Sequence, residues 1–243
     1  MKGILIALVL SIFSSCVGKE IQASIAQIET PQVEYQAELI GILDSFQVLE
    51  TPIHFDSTFF KKNKLYLFDN GNLNAEIVKV LTQKFAKDDI SARENYYINA
   101  FLEIEEAKTN NQYAEFVEKL EGGMTENAVG RALGRIELGD SVGLLLWELK
   151  YKSFDACPSY QGHHILGSIV YKGQTISCMH LASNEGGSDA PMQFDSYQLA
   201  SIYKEGIIRV RNYAQTFEED QLIENTVSKT NYHFSSKGFE LKK

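Results

Sequence analysis

Imidazole and thiol are the side chains on which metal binding and nucleophilic chemistry most often rest, and this chain carries five histidines and three cysteines. No G-x-S-x-G, H-E-x-x-H, G-x-G-x-x-G, phosphate-loop or C-x-x-C pattern accompanies them. Any site must therefore be assembled by the fold from scattered residues. His163 and His180 are the pair that a local element brings together. They lie on either side of Lys172-Gly173, in a stretch from Gly162 to Ser183 that reads as a β-hairpin with a two-residue turn. With Tyr171 opposite Gln174, an unbroken register sets Ile169 against Ile176, Gly167 against Cys178 and Ile165 against His180. His163 then lies diagonally beside His180 on one surface. A metal ion held there needs a third ligand, such as Asp155 or Asp189 folding over the pair. Only two ligands are placed, so the expectation is no catalytic residue, no metal and no cofactor, with His163 and His180 as the candidates and half-exposed strand positions as their plainer reading.

The cysteines divide into one and two. Cys16 follows a positive Lys2, an apolar run from Ile4 to Phe13 and the small residues Ser14-Ser15. That arrangement resembles a bacterial lipoprotein signal peptide, with Phe13 standing where leucine is usual. The apolar run is too short for a stable span, which takes about 20 residues. The resemblance implies removal of residues 1–15, lipid (palmitate) on Cys16 and anchoring in the outer membrane, facing the periplasm or the cell surface. The other reading is an ordinary secretory peptide that leaves Cys16 a free thiol. With Cys16 assigned to lipid, Cys157 and Cys178 remain in an oxidising compartment, which favours a disulfide. The hairpin register separates Cys178 from the end of the sheet where Cys157 lies, so two free thiols are expected and no disulfide is favoured.

The elements that must position these residues are read from periodicity. Residues 16–48 form a tether and an uncertain segment: Ile21, Ile25 and Ile28 have helical spacing, whereas Val33, Tyr35, Ala37 and Leu39 alternate. Residues 49–243 form one α+β domain. Lys64 to Phe68 reads as a short strand closed by Asp69-Asn70-Gly71, whose donors lack calcium-loop spacing. Helices occupy about 74–137: one stripe at Ile77, Val80, Leu81 and Phe85, a second at Tyr97, Phe101 and Ile104, a third at Tyr113, Phe116, Val117 and Leu120, and a fourth helix from Thr125 to before Gly139. Strands occupy about 143–241, joined by short turns, which predicts an antiparallel meander of five to seven strands with the helices on one face or end. Both surfaces of the central hairpin are apolar, so the sheet should be covered on both sides. Trp147 is an anchor in the sheet, and its indole N–H needs a partner if buried.

The net charge of −9 and the lack of a basic run beyond Lys61, Lys62 and Lys64 argue against a nucleic-acid partner. The order of a lipobox, helices, then WELKY, KGQTIS, SDAP, KEGIIRV and YHFSSKGFEL resembles a group of Bacteroidota lipoproteins with no assigned activity, so it implies no site residue. The function expected is a non-enzymatic binding or interaction module, held at the membrane through Cys16, with an envelope protein or ligand as partner. The alternative is an envelope hydrolase or metal-binding enzyme built on the His163 and His180 region.

Overall fold

The computed structural model describes residues 37–41, 43–62, 72–83, 92–109, 127–139, 141–154, 159–189 and 191–242. Its frame is a nine-stranded antiparallel sheet: β1 (Ile53–Phe55), β2 (Asn127–Leu138), β3 (Val142–Phe154), β4 (Ser159–Tyr171), β5 (Gln174–Asp189), β6 (Met192–Ile202), β7 (Ile207–Glu218), β8 (Gln221–Ser235) and β9 (Gly238–Lys242). From β2 to β9 each strand pairs with the next, as short connections require, and β1 pairs with β6. The meander is thus as expected, with more strands than the five to seven predicted.

Among the described residues there are four α-helices, but only two of them fall in the segment predicted to be helical. The four are α1 (Ala37–Ile40), α2 (Ser57–Lys62), α3 (Ala75–Thr82) and α4 (Ala92–Thr109). The first two apolar stripes do fall on α3 and α4, with Ile77, Val80, Leu81, Tyr97, Phe101 and Ile104 all buried. Asn74 caps α3, its side-chain oxygen accepting from the Ile77 amide at 3.0 Å. The third predicted helix, the Lys64 to Phe68 strand and Phe85 lie outside the described residues. The fourth predicted helix is a strand, β2. Its sequence, NAVGRALGRIEL, is rich in alanine, leucine and arginine, which favour helix locally. The Leu-rich β3 offers it a partner along its whole length, and tertiary pairing outweighs that local preference. Its small residues serve close approach. A Cβ at Gly130 would sit 3.2 Å from Leu73 and 3.3 Å from Phe101, and one at Gly134, beside a bulge, would sit 2.5 Å from Leu49.

Both surfaces of the central strands are buried, as their composition demands. On one, Leu145, Trp147, Leu149, Leu166, Val170 and Cys178 pack with α3 and α4, and the same cluster takes in Leu39 and Phe46. On the other, Leu144, Leu146, Ile165, Ile169 and Met179 pack against Ile202, Ile208, Val210 and Phe234 of the later strands. A sheet whose early and late strands share one apolar cluster must bend over on itself, so the second core lies inside that bend. Trp147 is fully buried, and its Nε1 donates to Ser168 Oγ at 3.0 Å while that hydroxyl donates to the Leu81 carbonyl at 2.8 Å. This relay ties the end of α3 to the sheet. Among the described residues no helix is long and apolar enough to cross a membrane.

Candidate functional site

The hairpin turn forms where the sequence places it. Tyr171 pairs with Gln174, and Lys172 (φ 48°) and Gly173 (φ 74°) are both left-handed, the geometry of a two-residue turn matched to strand twist. Beyond the turn the register departs from the unbroken one. Two bulges in β5 each add a residue, at Ile176 and at Leu181, so Ile169 faces Ser177, Gly167 faces Met179 and Ile165 faces Ala182.

This slip corrects the histidine pairing. His163 and His180 are not neighbours: His163 lies on the surface inside the bend, and His180 lies on the surface under the helices beside His164. The His164 Nδ1 to His180 Nε2 distance is 3.1 Å. Glu185 joins them, its Oε1 3.8 Å from His164 Nδ1. His180 and Glu185 are five residues apart, which in a regular strand puts them on opposite faces. The bulge at Leu181 inverts the alternation and returns Glu185 to the face of His180. Glu185 faces Gly162, where an added Cβ would collide with the His164 imidazole, so this glycine leaves the ring its place. Tyr97 of α4 lies against the ring, centroid to centroid 4.5 Å. His164, His180 and Glu185 are 3%, 6% and 9% exposed. Of the two aspartates expected as a third ligand, Asp155 lies outside the described residues, and Asp189 ends β5 beyond Glu185.

On the opposite surface His163 belongs to a different cluster. Its Nε2 lies 2.7 Å from Glu148 Oε2, and Lys150 Nζ lies 3.3 Å from Glu148 Oε1, all three side chains buried. Phe60 of α2 meets the His163 ring edge to face at 5.0 Å, with Phe59 at 5.9 Å. Burial pushes the Glu148 carboxyl up, but the hydrogen bonds and charges of His163 and Lys150 outweigh it and hold the group below its ordinary value of 4.5. This network closes the interior of the bend where an apolar side chain would otherwise sit. Cys178 is also buried, opposite Ser168 rather than Gly167, and burial pushes its thiol up to about 12. Cys157 lies outside the described residues, as does Cys16.

A third feature is exposed and electrostatic. Arg211 of β7 is directly opposite Lys229 of β8, and on the next rung of the same face Arg209, Asn231 and Lys242 run across β7, β8 and β9. The four cations are exposed. They border a groove of about 430 Å³, and a smaller hollow beside it adds His54, Asp56 and Tyr203. Arg209 sits over the Tyr203 ring at 4.9 Å. Among the described residues no carboxylate is ion-paired with any of the four. The sequence shows no basic run here because each strand contributes one or two cations, separated by the length of a hairpin.

His164, Glu185, Glu148, Lys150 and the cationic stripe are all residues that sequence reasoning passed over. The adjacent His163-His164 was a usable signal, since neighbours on a strand point to opposite faces and one of them had to serve each surface. Taken together the fold and these clusters define a β-meander domain with α1, α3 and α4 on one surface and α2 on the other, two buried histidine sites and one exposed cationic stripe. Comparison with protein-family models, curated proteins and solved structures finds no match.

Proposed function

We propose that this chain is a non-enzymatic lipoprotein of the bacterial envelope, anchored in the outer membrane through acylated Cys16, whose domain binds an anionic ligand on the stripe of Arg209, Arg211, Lys229 and Lys242. The observation that carries the reading is the cross-strand pair Arg211 and Lys229. Like charges directly opposite each other destabilise a strand pair, and this pair stands in a protein with a net charge of −9. Among the described residues no carboxylate is ion-paired with the stripe, so a ligand bearing phosphate or carboxylate groups is the natural counter-charge. A lipid on Cys16 holds the domain where such groups are concentrated, on lipid headgroups and surface glycans.

The test uses tripolyphosphate as probe, titrated by calorimetry into the detergent-solubilised chain at low and at high salt. Binding that falls with salt and weakens by more than about 10-fold in Arg211→Ala/Lys229→Ala supports the stripe, since each lost contact to a charged group removes about 1.5–3 kcal/mol. Equal binding by the parent and the double variant, or none by either, refutes it. For the anchor, Cys16→Ala should move the protein from the membrane fraction to the soluble fraction or leave its leader uncleaved, because acyl chains contribute about 0.8 kcal/mol per buried methylene. Unchanged partitioning into detergent refutes the anchor.

A further inference from the structure

We infer that His164, His180 and Glu185 form a site for one divalent transition-metal ion of the zinc type, on the helix-covered face of the β4–β5 hairpin. The ligand atoms, one from each residue, all lie within 4.8 Å of one another. Donors held at about 2.0–2.1 Å from a tetrahedral ion lie about 3.3–3.4 Å apart. The His164 Nδ1 to His180 Nε2 distance of 3.1 Å and the His164 Nδ1 to Glu185 Oε1 distance of 3.8 Å bracket that value, and the third separation lies within 4.8 Å, so small side-chain adjustments bring the three donors around one ion. Two imidazoles and one carboxylate are the donors of open zinc sites, in which the fourth position is left to water or an added ligand. Imidazole donors also select against magnesium and calcium, which take oxygen ligands.

The backbone is arranged around this constellation in two places. The bulge at Leu181 brings Glu185 to the face of His180, and Gly162 leaves room for the His164 ring. Either device alone has a packing explanation, but together they converge three ligating atoms on one point. Tyr97 covers the His164 ring from α4 and restricts its rotation, which favours a pre-formed geometry. The site lies on the opposite surface of the sheet from the Glu148, His163 and Lys150 network, so the two are separately testable. It also stands apart from the cationic stripe, and its proof or failure leaves the anion-binding reading untouched.

The experiment takes the full chain in detergent, stripped with chelator, and titrates Zn²⁺ by calorimetry and Co²⁺ by visible absorption. Expected are one ion per chain and the intense visible bands of four-coordinate cobalt. His180→Ala should abolish both signals, Glu185→Gln should weaken affinity by more than about 10-fold, and His163→Ala, on the other face, should leave stoichiometry and spectrum unchanged. Circular dichroism establishes that each variant is folded; if His180→Ala is not, Glu185→Gln decides alone. The inference is overturned by the absence of one-equivalent uptake in the parent, by uptake that Glu185→Gln leaves intact, or by a cobalt spectrum that only His163→Ala removes.

Discussion

Replacing Glu148 by glutamine keeps the shape of the side chain and removes its charge from a network with almost no contact with solvent. Lys150, 3% exposed, then loses the carboxylate at 3.3 Å, and His163 loses the negative charge of its partner at 2.7 Å. Breaking a buried ion pair by removing one partner costs about 3–5 kcal/mol, because the remaining charge is left without compensation. In a domain of this size that lowers the unfolding midpoint by about 6–20 °C at neutral pH. The pH dependence provides a second readout. Glu148 is held below its ordinary value of 4.5, so the unfolded chain binds more protons than the native one as the pH falls through that region. The stabilisation is therefore complete above 4.5 and is lost as the pH drops from there through the lower folded value. Thermal unfolding followed by circular dichroism between pH 7 and pH 3 should show a large deficit for Glu148→Gln at pH 7 that narrows on acidification, with Glu148→Gln/Lys150→Met recovering part of it. A deficit under about 1 kcal/mol at pH 7, or one independent of pH, refutes the reasoning.

Ser168→Ala removes the acceptor of the Trp147 indole and the donor to the Leu81 carbonyl together, and two buried partners left unmet predict a loss of about 2–4 kcal/mol in urea unfolding; a loss below about 1 kcal/mol would show that the relay is incidental. In a Cys157→Ser chain, Cys178 should resist alkylation at pH 8 in the native state and react once the protein is unfolded, because its thiol is fully buried and raised to about 12. Native reaction at the rate of a free thiol contradicts that burial.

The sequence by itself determined the elements whose signals are local. Lys172-Gly173 carries its own turn chemistry, the stripes on α3 and α4 follow from helical spacing, and the two apolar surfaces of the central hairpin required cover on both sides. Trp147, with one polar atom in an apolar strand, had to find a partner, and Ser168 is that partner. Tertiary structure decided what depends on counting residues across strands. Whether NAVGRALGRIEL becomes helix or strand is settled by the pairing edge that β3 presents, since its local preference points the other way. The cationic stripe exists only when β7, β8 and β9 lie side by side. The two bulges in β5 matter most, because alternation has a period of two, and one extra residue exchanges the faces of everything beyond it. The slip at Ile176 takes His180 away from His163 and joins it to His164, and the slip at Leu181 brings Glu185 to the same point. A bulge is selected by the packing and twist of the whole sheet, and so no local pattern of residue types announces where it falls.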